Sequence, residues 1–267
     1  MLKNINIVKA VALNTFRETV RDRILYAIVV FALLATLAGM VFGALSADQD
    51  IRILEDLGLF AITIFGGIIA VFVGTTLVFK EIDRKTIFLI VTKPIHRWQF
   101  ITGKFLGLCL SVFITNFSMG LFFILVLAFQ MSNFSAAVPM LIALVLVYLE
   151  LVMVIALATF FSTFCTPLMS MIFTCGMWLA GHLSFSYELL KEMAEDKQHP
   201  SPITAALATG LQYAMPDLAR LTELRSNLMD GEIVLNSTAL YISLYIAAYV
   251  LVLLSLSTII AERREFN

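Results

Sequence analysis

Glu150 is a carboxylate set well inside a continuous apolar stretch, residues 136–161. A charged side chain at a membrane-helix centre costs about 2.5–3.5 kcal/mol on insertion scales, so such a group must face protein or a water-filled cavity. Two uses fit it equally: a member of a substrate path or proton relay, or a glutamic acid hydrogen-bonded between helices. Tyr241, Tyr245 and Tyr249 recur every four residues in another apolar stretch and so share one helix face. With Glu150 they make a candidate translocation path for an amphipathic substrate. Hydrogen bonding between helices is the plainer use of the three phenols. His182 stands alone near the end of a further stretch, where packing is its default role.

No residues are spaced for bond-breaking. The chain has no G-x-x-x-x-G-K-[ST] phosphate loop, no H-E-x-x-H and no G-x-S-x-G. No histidine or cysteine cluster has metal spacing, and Cys109, Cys165 and Cys175 lie in or beside apolar runs as small hydrophobes. The chain is expected to be no enzyme and to bind no cofactor or metal of its own.

The elements that must position these groups follow from composition. Of the 267 residues 60% are hydrophobic and 14% charged. A soluble domain carries nearly twice that share of charge, so this is a polytopic membrane protein, and its net charge of −1 gives no case for nucleic acid. Six stretches are long enough to cross about 30 Å of hydrocarbon as helices: 24–45, 57–79, 105–129, 136–161, 167–187 and 237–260. The runs are continuous, with no period of two, which excludes a barrel and predicts an all-α chain of six spans in a single domain, 1–267. Ala44-Leu45-Ser46 resembles a cleavage site, but the preceding apolar run is too long for a signal peptide and is read as a span. Small residues at GxxxG spacing (Gly39/Gly43, Gly103/Gly107) and a seam of Gly66, Ala70 and Gly74 predict close helix approach.

Charge sets the topology. One set of connectors carries 13 basic residues and the other 5, so the basic side is cytoplasmic and both termini lie inside. Residues 4–23 place Ile5, Val8, Ala12, Phe16 and Val20 on one helical face, which predicts a helix in the membrane interface with its arginines toward lipid headgroups. The cytoplasmic connector 80–104 mixes charge with Ile87, Phe88, Leu89 and Ile90. Covering each large aliphatic side chain is worth about 1.5–3 kcal/mol, so bilayer or a protein partner must lie against them. The outer segment 188–236, punctuated by Pro200, Pro202, Gly210, Pro216 and Gly231, is too short for a separate domain. It is expected to form a cap on the spans, with short helices over 203–215 and 217–229.

Three stretches carry a family likeness: Asn14-Thr15-Phe16-Arg17-Glu18-Thr19-Val20-Arg21-Asp22-Arg23; Glu81, Asp83, Thr86, Lys93-Pro94, Arg97 and Gly103-Lys104; and Tyr213-Ala214-Met215-Pro216-Asp217-Leu218. Together with the order of spans they resemble an ABC-2-type transporter permease, the membrane subunit of an ATP-binding-cassette exporter, over nearly the whole chain. Lys85 departs from the pattern, since many relatives carry glycine there. The resemblance implies a type V exporter-like architecture in a bacterial-type inner (cytoplasmic) membrane. Two permease chains, as a homo- or heterodimer, would sit over two cytoplasmic ATPase subunits that hold the ATP and Mg. Glu81, Asp83, Arg84, Thr86, Ile87, Phe88, Leu89, Lys93 and Arg97 would form a coupling helix seated on the ATPase. The implied work is export of a lipid-like, amphipathic or other substrate, or force transmission to a periplasmic protein. The alternative from another class is an ion- or proton-coupled secondary transporter using Glu150.

Overall fold

A computed structural model describes residues 2–23, 25–26, 28–30, 32–34, 37, 50–83, 96–131, 137–182, 215–229 and 237–263. Among them every regular element is a helix: α1 (Leu2–Val20), α2 (Asp50–Asp83), α3 (Arg97–Met131), α4 (Ala137–Ser162), α5 (Pro167–His182), α6 (Ala219–Met229) and α7 (Ser237–Arg263). Among the described residues four segments are long and apolar enough to cross a membrane: Leu54–Thr76, Arg97–Ala128, Val138–Ser162 and Ala239–Glu262. Most of the first expected span lies outside the described residues. The described part of the fifth, α5, has 16 residues.

The centre of the bundle is α4. Its residues Met153 to Ala158 are buried on every side, as expected of a helix that is apolar all round. It packs against α2, α3, α5, α6 and α7. Between helices in lipid there is little hydrophobic drive, so contact depends on small residues that let backbones approach. The Gly66, Ala70 and Gly74 seam does this on α2, where a Cβ on Gly66 or Gly74 would run into Leu151 or Ala158 of α4. Polar ties add direction. Asn116 Nδ2 donates to the Leu144 carbonyl at 3.2 Å, and Tyr148 donates to the Cys109 carbonyl at 3.3 Å, both between α3 and α4.

The second small-residue motif seats α1. Gly103 and Gly107 open a groove along α3, and Val8, Val11, Ala12 and Thr15 lie in it. A Cβ on Gly107 would stand 2.5 Å from the Ala12 carbonyl oxygen. Thus Val8 and Ala12 meet a protein helix, while Ile5 of the same expected face is exposed. Glycine spacing brings backbone against backbone, a closer fit than acyl chains offer. Thr15 and Thr19 are buried as well, and Thr19 donates back to the Thr15 carbonyl at 2.9 Å.

The connector between the second and third spans is shorter than 80–104. Residues 80–83 continue α2, and α3 begins at Arg97. At 1.5 Å per residue the 34-residue α2 runs about 51 Å, well beyond the hydrocarbon. Gln99 fixes the start of α3 by accepting the His96 backbone N–H at 3.1 Å, as in a capping box. Lys104, at the end of the expected connector, is buried, with its ammonium 4.9 Å from the centre of the Phe100 ring. The turn from α4 to α5 takes only residues 163–166, closed by Cys165 N–H to the Phe161 carbonyl at 2.9 Å. Pro167 then opens α5, where its missing N–H costs nothing.

Candidate functional site: a buried ionic cluster

Glu150 lies near the middle of α4 and is wholly buried. Its two oxygens have different surroundings. Oε1 accepts the Trp178 indole N–H at 3.0 Å and lies 3.2 Å from His182 Nε2. Oε2 lies 3.6 Å from Arg225 Nη1 and accepts no hydrogen bond among the described residues. The cluster therefore joins a carboxylate from α4, an indole and an imidazole from α5, and a guanidinium from α6.

Helical spacing places the two α5 partners. Trp178 and His182 are four residues apart and share a face, and the Trp178 ring fills the space over Gly67 of α2. His182 Nδ1 lies 3.0 Å from the Trp178 carbonyl. Both ring nitrogens thus face acceptors, an arrangement that the doubly protonated ring satisfies with two donated bonds. The His182 side chain is 30% exposed, so the cluster meets the surface at this edge.

Arg225 comes from the segment expected to cap the spans. That segment does more than cap. Pro216 and Leu218 pack on Gly181, the Leu218 N–H donates to the Gly181 carbonyl at 3.1 Å, and the Asp217 N–H donates to the Tyr245 hydroxyl at 3.3 Å. From this anchored bend α6 turns into the bundle with Leu221, Leu224, Arg225 and Leu228 on its buried face. Arg225 Nη1 donates to Thr63 of α2 at 2.7 Å, and Nη2 donates to Thr222 of its own helix at 3.1 Å. The Thr63 hydroxyl in turn donates to the Leu59 carbonyl at 2.8 Å. Asp217 and Arg220, 2.7 Å apart, make a separate pair on the exposed side of the first turn.

The expected path residues divide. Glu150 is in the cluster. Tyr245 spends its hydroxyl on Asp217, its ring is 6.0 Å from that of Tyr249, and Tyr241 is exposed. Of the coupling residues, Glu81 and Asp83 lie in the last turn of α2. Arg97, the first residue of α3, donates to the carbonyls of Ala261 and Glu262 near the end of α7. Arg84, Thr86, Ile87, Phe88, Leu89 and Lys93 lie outside the described residues. So do residues 203–214 of the expected helix over 203–215, and the Gly39/Gly43 pair. No group of three or more histidine, cysteine, aspartate or glutamate residues fit for a metal occurs among the described residues.

Arg225 and Trp178 are the members that the sequence reading did not single out. The signal for Arg225 was present: it falls in the Leu221, Leu224, Leu228 stripe, where a cation inside an apolar face calls for a buried anion. A family model described as ABC-2 family transporter protein matches residues 9–265. A search of curated proteins gives no match.

Proposed function

The chain belongs to the ABC-2 family of transporter proteins, and from that premise we propose that it is a permease subunit driven by a separate ATPase. The family match over residues 9–265 carries this reading. The fold supports it: residues 84–96 leave from the ends of two helices longer than a bilayer is thick, and they hold Ile87, Phe88, Leu89 and Ile90 among charges. In this proposal Glu81, Asp83, Arg84, Thr86, Ile87, Phe88, Leu89, Lys93 and Arg97 form the coupling segment that docks on the ATPase. The basic end faces the cytoplasm of a bacterial-type cell with both termini inside, and the α6 end faces outward. Two permease chains and two ATPase subunits make the unit. It exports an amphipathic or lipid-like substrate past Glu150 and the Tyr241, Tyr245 and Tyr249 face, or passes force to a periplasmic partner.

Ile87→Asp and Phe88→Asp test the docking. Each removes an apolar contact worth about 1.5–3 kcal/mol and adds a charge, so affinity for the ATPase should drop by about tenfold to a hundredfold. The measurement is co-purification of a nucleotide-binding subunit with the intact chain. Undiminished co-purification and ATP turnover in both variants would refute the docking assignment. The secondary-transporter reading draws on the His182 edge leading to buried Glu150. It predicts flux into liposomes without ATP that Glu150→Gln abolishes.

A further inference from the structure

We infer that Arg225 is a positioning residue of the transport cycle: its charge pair with Glu150 holds α6 inside the bundle, and the pair must separate for a substrate to pass. The inference rests on the permease reading and adds to it a gate on the α6 side.

The two halves of the Glu150 carboxylate carry the argument. Oε1 is held by Trp178 and His182, both on α5. Oε2 faces Arg225 at 3.6 Å with no hydrogen bond to direct the contact. When Arg225 withdraws, Glu150 keeps both α5 partners, and with a protonated His182 it forms a pair of zero net charge. Arg225 likewise keeps Thr222, which travels on its own helix, and gives up Thr63. Glu150 is not left stranded, and Arg225, which has no second counter-charge among the described residues, must leave the buried site with α6 and meet water, so the pair opens at modest cost only if α6 swings out. The charged groups facing Glu150 are His182 on α5 and Arg225 on α6. Its other partner in the cluster, Trp178, is neutral.

The mounting of α6 fits the same use. Its leading end is pinned to α5 through Leu218 on Gly181 and to α7 through Asp217 on Tyr245. Arg225 lies six residues beyond Ala219, the first residue of α6, about 9 Å along the helix. One end is fastened by backbone hydrogen bonds and the other by charge, so loss of the charge lets α6 pivot about residues 216–218.

The test uses the full chain in liposomes, with its three native cysteines replaced by serine and a reporter Leu221→Cys. Leu221 is fully buried and one turn before Arg225 on the same face of α6. The readout is the rate of labelling by a membrane-impermeant maleimide, for variants whose thermal melts show a folded chain. In Glu150→Gln/Arg225→Gln the charge pair is gone, and labelling should rise by about tenfold, within the usual range of coupling between sites. Labelling at the native rate in this variant would overturn the inference, since apolar packing alone would then hold α6. Arg225→Lys keeps the charge and should label at the native rate, and faster labelling would overturn charge as the holding force. In the complex with an ATPase, Mg·ATP should speed labelling of the native pair, and indifference to nucleotide would remove pair separation from the cycle. A chain that co-purifies with no ATPase strikes the permease reading alone, because the first two comparisons need no nucleotide.

Discussion

Glu150→Leu should cost about 3–5 kcal/mol of stability, and Arg225→Leu about 1–2 kcal/mol. The asymmetry follows from the cluster. Removing Glu150 leaves Arg225 and His182 as two donors without a counter-charge and strands the Trp178 indole N–H. Removing Arg225 leaves Glu150 with Trp178 and His182 on its other oxygen and frees only two threonine hydroxyls. Reversible unfolding in mixed detergent micelles measures both losses. Equal losses would show that Arg225 is the chief support of the carboxylate and that the α5 partners carry little, and a neutral Glu150→Leu would show that the cluster adds no net stability.

Gly107→Leu should unseat α1. The nearest atom to a Cβ at this position is the Ala12 carbonyl oxygen, part of a helix backbone that has no rotamer to yield. Overpacking of this kind typically costs about 1–3 kcal/mol. The loss should fall on the α1 contact, with α2 to α7 intact. Limited trypsinolysis at Lys9 and Arg17 reports it, because cleavage follows the population of released helix and rises about tenfold for each 1.4 kcal/mol. Gly103→Leu should act in the same direction through Val11 and Val8. A native cleavage rate in Gly107→Leu would show that α1 is held elsewhere along its length.

The helical class, α2 to α4 and α7 as spans, and the close-packing glycines were legible from residue types and spacing, because long apolar runs and small-residue periods act locally. Glu150 was legible as a buried acid for the same reason. Its partners were not, since Arg225 lies 75 residues further along the chain and Trp178 reads as an ordinary apolar residue until a carboxylate is placed beside it. The depth of α6 was missed because its exposed face, with Arg220, Thr222 and Glu223, gives the segment a polar average that hides the leucine stripe. Lys104 falls within the expected connector because nothing in its neighbours foretells that α3 starts as early as Arg97 and carries it into the packed region.

The place of Glu150 in α4 bears on how the protein is made. Synthesis runs from the N-terminus, so the glutamate must cross into lipid before α5 and before the chain that contains Arg225 exists. During that interval α4 bears the acid alone, most cheaply in its protonated form. Val138–Ser162 is the most apolar of the four candidate spans. Its surplus of leucine, valine and methionine offsets the insertion cost of one acid, about 3 kcal/mol, until the later helices arrive. The greasiness of this helix thus serves the nascent chain as much as the finished one.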